Sequence, residues 1–242
     1  MLLQILRFVV PSSMAISCPA FSSLRRDVAT AGAIAQYFGY SVQTRVAPLP
    51  KPRHEISWII RTPATLPLKT HVTDTAFTEW PDDLDLSQKA QLTDRLNELS
   101  TDSAVSLLVD LADKDSKDLL TGLQAPVCEV VTMKMKQDAP FKDAAFRNSM
   151  HKTYTDCYRM QGFVGGDWGY AVNTNHTGGE NVTSERLDGR QRRLAIYLLG
   201  WESIELHEDA GKTEVFAEEM DKLGPWIDAG SGAWYTTLTK HE

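Results

Sequence analysis

The chain has 242 residues and a mass of 27.0 kDa, which at roughly 100–200 residues per domain means one large domain or two small ones with a core that needs no disulfides. Apolar residues at 42% and charged residues at 24% match ordinary globular proteins and exclude disordered, collagen-like and coiled-coil chains. With 25 basic and 32 acidic residues the net charge is −7, which argues against nucleic acid or an anionic membrane as an electrostatic partner.

The opening MLLQILRFVV lacks a basic leader and a cleavage site and is too short to span a bilayer, so it predicts a strand over residues 2–10. Phe21, Leu24, Val28, Ala31, Ile34 and Phe38 then recur every three or four residues, predicting a helix that stops at Gly39. SVQTRVA and HEISWIIRT flank the proline-containing PLPKPR as a hairpin. A second helix is expected over about 85–99, with Leu86, Ala90, Leu96 and Leu99 on one side. SAVSLLVDL alternates Val105, Leu107, Val109 and Leu111 on one face of a strand.

KDSKDLLTGLQA reads as a polar connection, and beyond it the pattern returns. CEVVTMKMK predicts a strand, Phe141 to Met160 a helix ending near Gly162, and VGGDWGYAV a strand. The polar, glycine-rich segment 173–191 exceeds a usual hairpin loop and reads as a lid or an insert. Its sequons at Asn175 and Asn181 are read as chance in a polar loop. RRLAIYLLGW, a helix in KTEVFAEEMDKL stopped by Gly224 and Pro225, and AWYTTLTK complete the series.

The order β-α-β-β-α-β thus occurs twice. The expected fold is α+β: two tandem ferredoxin-like halves, 1–113 and 126–242 with a linker at 114–125, packed sheet to sheet as an intramolecular α+β barrel. In RRLAIYLLGW, Leu194, Ile196 and Leu198 oppose Ala195, Tyr197, Leu199 and Trp201, so both faces need cover. Stacked sheets supply it, with helices outside and a side-chain-lined cavity between.

Residues 200–220, GWESIELHEDAGKTEVFAEEM, resemble the G-W-E-S-x-x-x-H signature of the dimeric α+β barrel proteins, the antibiotic-biosynthesis-monooxygenase and stress-response barrel group. The resemblance is strongest over 126–242; the first half matches only in element order. It implies a tandem member of a group that includes cofactor-free monooxygenases, a polyketide cyclase, fungal decarboxylases or dehydratases, and proteins without demonstrated chemistry.

The resemblance makes His207 a candidate general base facing the cavity, set against a packing or capping role. Imidazole titrates near neutrality, which suits proton transfer. Tyr197 shares a strand face with Trp201 and could donate to a developing oxyanion, or be a core tyrosine satisfied by backbone. Asp167, beside Trp168 in VGGDWGY, could be a base or a turn residue. His151 and Tyr154 share a helix face expected to lie outside the cavity. In the first half His71 follows HEISWIIR loosely as His207 follows RRLAIYLLGW, and Trp58 sits in its strand as Tyr197 does. The predicted catalytic residues are therefore His207, Tyr197 and Asp167, and the predicted substrate-binding residues Trp168, Trp201, Trp58 and His71.

Phosphate-loop, dinucleotide, zinc-protease and serine-hydrolase motifs are absent from the sequence, as is metal-ligand spacing, so no cofactor or metal is expected. Cys18, Cys128 and Cys157 cannot all pair and form no C-x-x-C, which fits a reducing cytoplasmic setting. The leading functional expectation is cofactor-independent cyclisation, pericyclic included, of a hydrophobic polyketide- or terpenoid-like intermediate in secondary metabolism. Cofactor-free monooxygenation of phenols and a non-catalytic binding barrel are the alternatives. The expected partner is a hydrophobic small molecule, with no nucleic acid and no membrane, and a homodimer is compatible with the family.

Overall fold

In the computed structural model, which describes residues 2–45, 54–62, 86–111, 117–178 and 186–242 (86–90 by backbone alone), β1 (Leu2–Val9) buries side chains on both faces. Leu3 and Ile5 join one core cluster, while Leu6 and Phe8 join another. The chain continues through α1 (Pro19–Thr30), β2 (Ala35–Gln43), β3 (Glu55–Thr62), α2 (Leu86–Leu99) and β4 (Val105–Leu111). After α3 (Lys117–Leu123) come β5 (Val127–Lys134), α4 (Ala144–Thr155), β6 (Phe163–Ala171) and β7 (Leu194–Trp201). Two short helices, α5 (Ile204–Ala210) and α6 (Glu214–Leu223), precede β8 (Gly232–Thr236) and β9 (Thr239–Lys240).

Within each half the strands pair antiparallel in one spatial pattern, β4-β1-β3-β2 in the first and β8-β5-β7-β6 in the second. The halves do not simply stack face to face, as the sequence suggested. They join edge to edge, β4 to β6 through Val109 to Leu111 and β2 to β8 through Ser41 to Gln43. Backbone hydrogen bonds thereby close eight strands into a barrel and satisfy edges that stacked sheets would leave open. Fold class is thus α+β with a closed antiparallel barrel, and β9 continues the pairing of β8 along the same edge of β2.

The barrel interior, expected to hold a cavity, is filled at its middle by buried Leu3, Ile5, Ile59, Leu107, Val130 and Ile196. A polar cluster lies inside as well. Arg7 binds Glu55 through two hydrogen bonds of 2.9 and 3.3 Å, and its guanidinium lies 4.1 Å from the Trp234 ring centre. The Trp234 indole donates to Ser57 Oγ at 2.9 Å. An ion pair this dry holds only because its geometry is complete.

Three features differ from the sequence expectation. The first helix ends at Thr30, not Gly39: Gly32 takes φ +100°, where an L side chain is strained, and Phe38 is already in β2. Alternation of Tyr37 inward and Phe38 toward the helices mimics a helical spacing over so short a stretch. The polar linker contains α3, whose Leu119 and Leu123 belong to the barrel core. A Cβ on Gly200, which shares the interior face with Cys128, would come within 2.5 Å of Gly122 Cα, so α3 lies across that end of the barrel. Helix α5 was not anticipated; at seven residues it is too short to show a period, and the Ser203 hydroxyl caps it by accepting from Leu206 N at 3.2 Å. Among the described residues no helix is long and apolar enough to cross a membrane.

Candidate functional site

The register of β6 on β7 divides the predicted residues between two faces. Trp168 pairs with Tyr197, on the face beneath the helices; Asp167 pairs with Leu198, on the barrel-interior face. Tyr197 and Trp201 do share a side of β7, as expected, but it is the helix-covered side. The predicted catalytic residues His207, Tyr197 and Asp167 therefore do not share one wall, because strand side chains alternate and Asp167 is one residue out of phase. Its Oδ1 accepts from the Trp168 backbone N–H at 2.7 Å. Trp58 lies beneath the helices of the other half, fully buried, donating from Nε1 to Gln36 Oε1 at 3.1 Å, and cannot share a pocket with Trp168. His71 lies outside the described residues.

On the helix-covered face of the second half the aromatic side chains converge. Trp168 stacks on Tyr197 with centroids 5.3 Å apart and planes 9° from parallel. Tyr170, two residues on along β6, meets Trp168 edge-on at 5.5 Å, and Phe141 meets Tyr170 at 6.4 Å. Helix α4 starts where the Asp143 carboxylate caps the N–H of Ala145 at 2.8 Å, and it buries Phe146, Met150 and Tyr154 on the sheet. Met150 supplies the carbonyl that accepts the Tyr197 hydroxyl at 2.8 Å. Burial, aided by the neighbouring Tyr170, keeps the Tyr197 phenol protonated well above its ordinary range.

His151, the next residue, reaches the solvent edge of this strip and accepts at Nδ1 from the Trp168 indole N–H at 3.1 Å. Indole is a donor only, so the neutral imidazole carries its proton on Nε2 and presents a donor outward. The Tyr170 hydroxyl makes no hydrogen bond among the described residues, and burial pushes its pKa up to about 12. Trp168 and Tyr170 are half-buried, so the strip is an aromatic platform with two donors at its margin.

His207 sits elsewhere on the same outer face. Its Nε2 is 3.0 Å from Glu129 Oε2, its Nδ1 2.7 Å from the Tyr235 hydroxyl, and the Trp201 ring meets it edge-on at 4.9 Å. With the ring neutral, Tyr235 donates to Nδ1 and Nε2–H donates to the carboxylate. All three residues are buried, and the chain ties α5 to β5 and β8. His207 therefore faces neither the barrel interior nor solvent, and both its nitrogens are engaged.

Sequence reasoning missed Glu129 and Tyr235 as partners of His207, and passed over His151 and Tyr170. A lone carboxylate inside the apolar run CEVVTM, a strand buried on both faces, was the available sign that a partner would be needed. The helix that carries His151 lies outside the barrel, as the sequence predicts, and the aromatic strip it borders lies there too. Among the described residues no group of three His, Cys, Asp or Glu side chains is gathered to hold a metal ion.

Solved structures share this barrel architecture over the whole chain. An anthrone oxidase-like protein superposes with TM-score 0.59 at 9% identity, covering 99% of this chain and 92% of its own. A candidate monooxygenase from Fusobacterium nucleatum subsp. nucleatum superposes with TM-score 0.54 at 11% identity, covering 100% and 94%. Another, from Lactobacillus acidophilus, gives 0.53 at 10% identity, covering 99% and 94%. At such identities these likenesses show the fold. No protein-family model and no curated protein sequence matches the chain.

Proposed function

We propose that the chain is a cofactor-independent enzyme that oxidises a flat, hydrophobic aromatic small molecule with molecular oxygen, the substrate lying on the Trp168–Tyr170 platform. The observation that carries this reading is the pair of donors without a protein acceptor among the described residues, His151 Nε2–H and the Tyr170 hydroxyl, flanking a stacked indole. Donors so placed stabilise the oxyanion of a phenol or enol in a partly dry site and so favour its ionisation. The proton leaves to water, and the electron-rich anion reacts with oxygen directly. For a benzylic methylene between two rings the balance is CH2 plus O2 giving C=O plus H2O, a chemistry consonant with the name of the anthrone oxidase-like neighbour.

Cyclisation of a flexible polyketide- or terpenoid-like chain is the second reading, since the same donors polarise a carbonyl. It is placed second because folding a flexible chain needs enclosure, whereas His151 stands exposed at the platform's edge. The matching strand order of the two halves supports reading 1–113 and 126–242 as tandem ferredoxin-like repeats, of which the second holds the chemistry.

An oxygen electrode with purified protein and an anthrone as probe tests the proposal. The expected result is one oxygen consumed per quinone formed without added flavin, haem or metal, and about a 100-fold loss of turnover in His151→Ala or Tyr170→Phe, the usual scale for one lost oxyanion donor. Product formed anaerobically at unchanged mass would instead establish the cyclase, and binding without turnover a carrier.

A further inference from the structure

Among its described residues the first half holds a buried cation with no ion-pair partner. Arg25, on α1, is only 5% exposed. Its guanidinium carbon lies 3.8 Å from the ring centre of Phe38 and 4.3 Å from that of Phe21, and the two rings stand at 89° to each other. The ring faces stabilise the cation but cannot accept the N–H groups that lie in its plane. Nε and Nη1 are buried and find no acceptor among the described residues.

Three acceptors on α1 and β2 are already used. Gln36 Oε1 takes the Trp58 indole, and the Arg25 carbonyl takes the Gln36 amide N–H at 2.8 Å. Asp27, two residues on, pairs with Arg95. On the neighbouring terminal segment, His241 is held below its ordinary value by burial first and then by the charges of Arg25 and Arg26. In a chain of net charge −7 the Arg25 guanidinium thus has no carboxylate paired with it among the described residues. A guanidinium cannot escape by losing its proton, so the charge stays costly until an anion meets it.

We propose that Arg25 anchors an anion subsite between α1 and β2 that takes the carboxylate of a hydrophobic small molecule. Nη2 shares one edge of the planar group with Nε and the other with Nη1, so each edge is a two-donor fork matched to a planar pair of oxygens. Phe21 and Phe38 give the apolar rim that a hydrocarbon body needs. The subsite belongs to the first half and is independent of the platform on the second.

The test uses the full chain with benzoate as probe, acetate and phosphate as further arms, and chloride at matched ionic strength as the control. Benzoate is expected to shift the Arg25 Nε–H resonance saturably and to raise Tm by about 2–4 °C, the scale of 1 kcal/mol for a chain of this size. Arg25→Met should lose both responses while its ligand-free Tm equals or exceeds that of the parent, because an uncompensated charge has gone. Arg25→Lys, which keeps the charge without the fork, should remain folded and lose most of the response. Absence of a saturable shift with benzoate and acetate overturns the proposal, as does an equal shift in Arg25→Lys. A response to phosphate alone overturns the carboxylate assignment.

Discussion

The Trp168 indole N–H donates to Nδ1 of His151 across 3.1 Å, and this one bond decides which imidazole nitrogen faces the solvent. It also joins a strand residue to a helix residue, so the platform and its donor are positioned together. Trp168→Phe keeps a ring on Tyr197 but deletes the N–H, releasing the imidazole to either tautomer. Turnover in the oxygen assay should fall about tenfold, the difference of roughly one hydrogen bond, with KM less affected. Imidazole nitrogen NMR should show the loss of the fixed Nε2–H form; a variant with an unchanged tautomer and unchanged turnover would remove the donor role of His151.

The Glu129–His207–Tyr235 chain calls for a different outcome. Removing the ring in His207→Ala leaves a buried carboxylate and a buried hydroxyl unpaired, a loss of about 2–3 kcal/mol for a hydrogen bond to a charged group. Denaturant unfolding should report that loss, while the protein that remains folded should keep its oxygen uptake. If turnover collapses with stability unchanged, the catalytic role expected for His207 from the sequence is restored.

How far the sequence reaches is visible in β4 and β7. Val105, Leu107, Val109 and Leu111 alternate as predicted because a period of two survives in any strand with one face inside the barrel. In β7 the same alternation correctly separates Leu194, Ile196 and Leu198 from Tyr197 and Trp201. What alternation cannot tell is which face meets helices and which meets the barrel interior, since both are apolar. The candidate wall failed there: Tyr197 and Asp167 take opposite phases once β6 and β7 are in register. Helix α3 was hidden for another reason. Three leucines among charges and a glycine look like a linker until the close approach at Gly122 shows why so small a residue stands there.

That approach yields the next prediction. In Gly200→Ala the new methyl would meet Gly122 Cα at 2.5 Å and its carbonyl oxygen at 2.6 Å, both backbone atoms that cannot rotate away. Helix α3 must lift from the barrel end, and overpacking of this kind costs about 1–3 kcal/mol. Hydrogen exchange should speed first over residues 117–125, ahead of the α4 region.

Thiol chemistry separates the three cysteines. Burial pushes the Cys128 and Cys157 thiols up to about 12, whereas Cys18 is partly exposed. Only thiolate reacts with a disulfide reagent. One equivalent, at Cys18, should react in the native protein and three after denaturation; fast modification of Cys128 would contradict the closed barrel, whose interior face it occupies.

Alkali probes the aromatic layer as a whole. Burial raises the phenol pKa of Tyr154, Tyr170, Tyr197 and Tyr235, with Tyr170 reaching about 12. In the unfolded chain these phenols would ionise near pH 10. Because the folded state holds them neutral above that value, their contribution to stability is complete below about pH 10 and is lost as the pH climbs toward 12 and beyond. Tyrosinate absorbance from these four residues should therefore appear together with the loss of far-ultraviolet circular dichroism, as one cooperative event. The Tyr170 hydroxyl remains a donor until then, so oxygen uptake should persist through pH 10 and end only with unfolding. If tyrosinate forms in stages while the fold is intact, the platform is more open to water than the stacking of Trp168 on Tyr197 implies, and the donor role of Tyr170 would have to be abandoned.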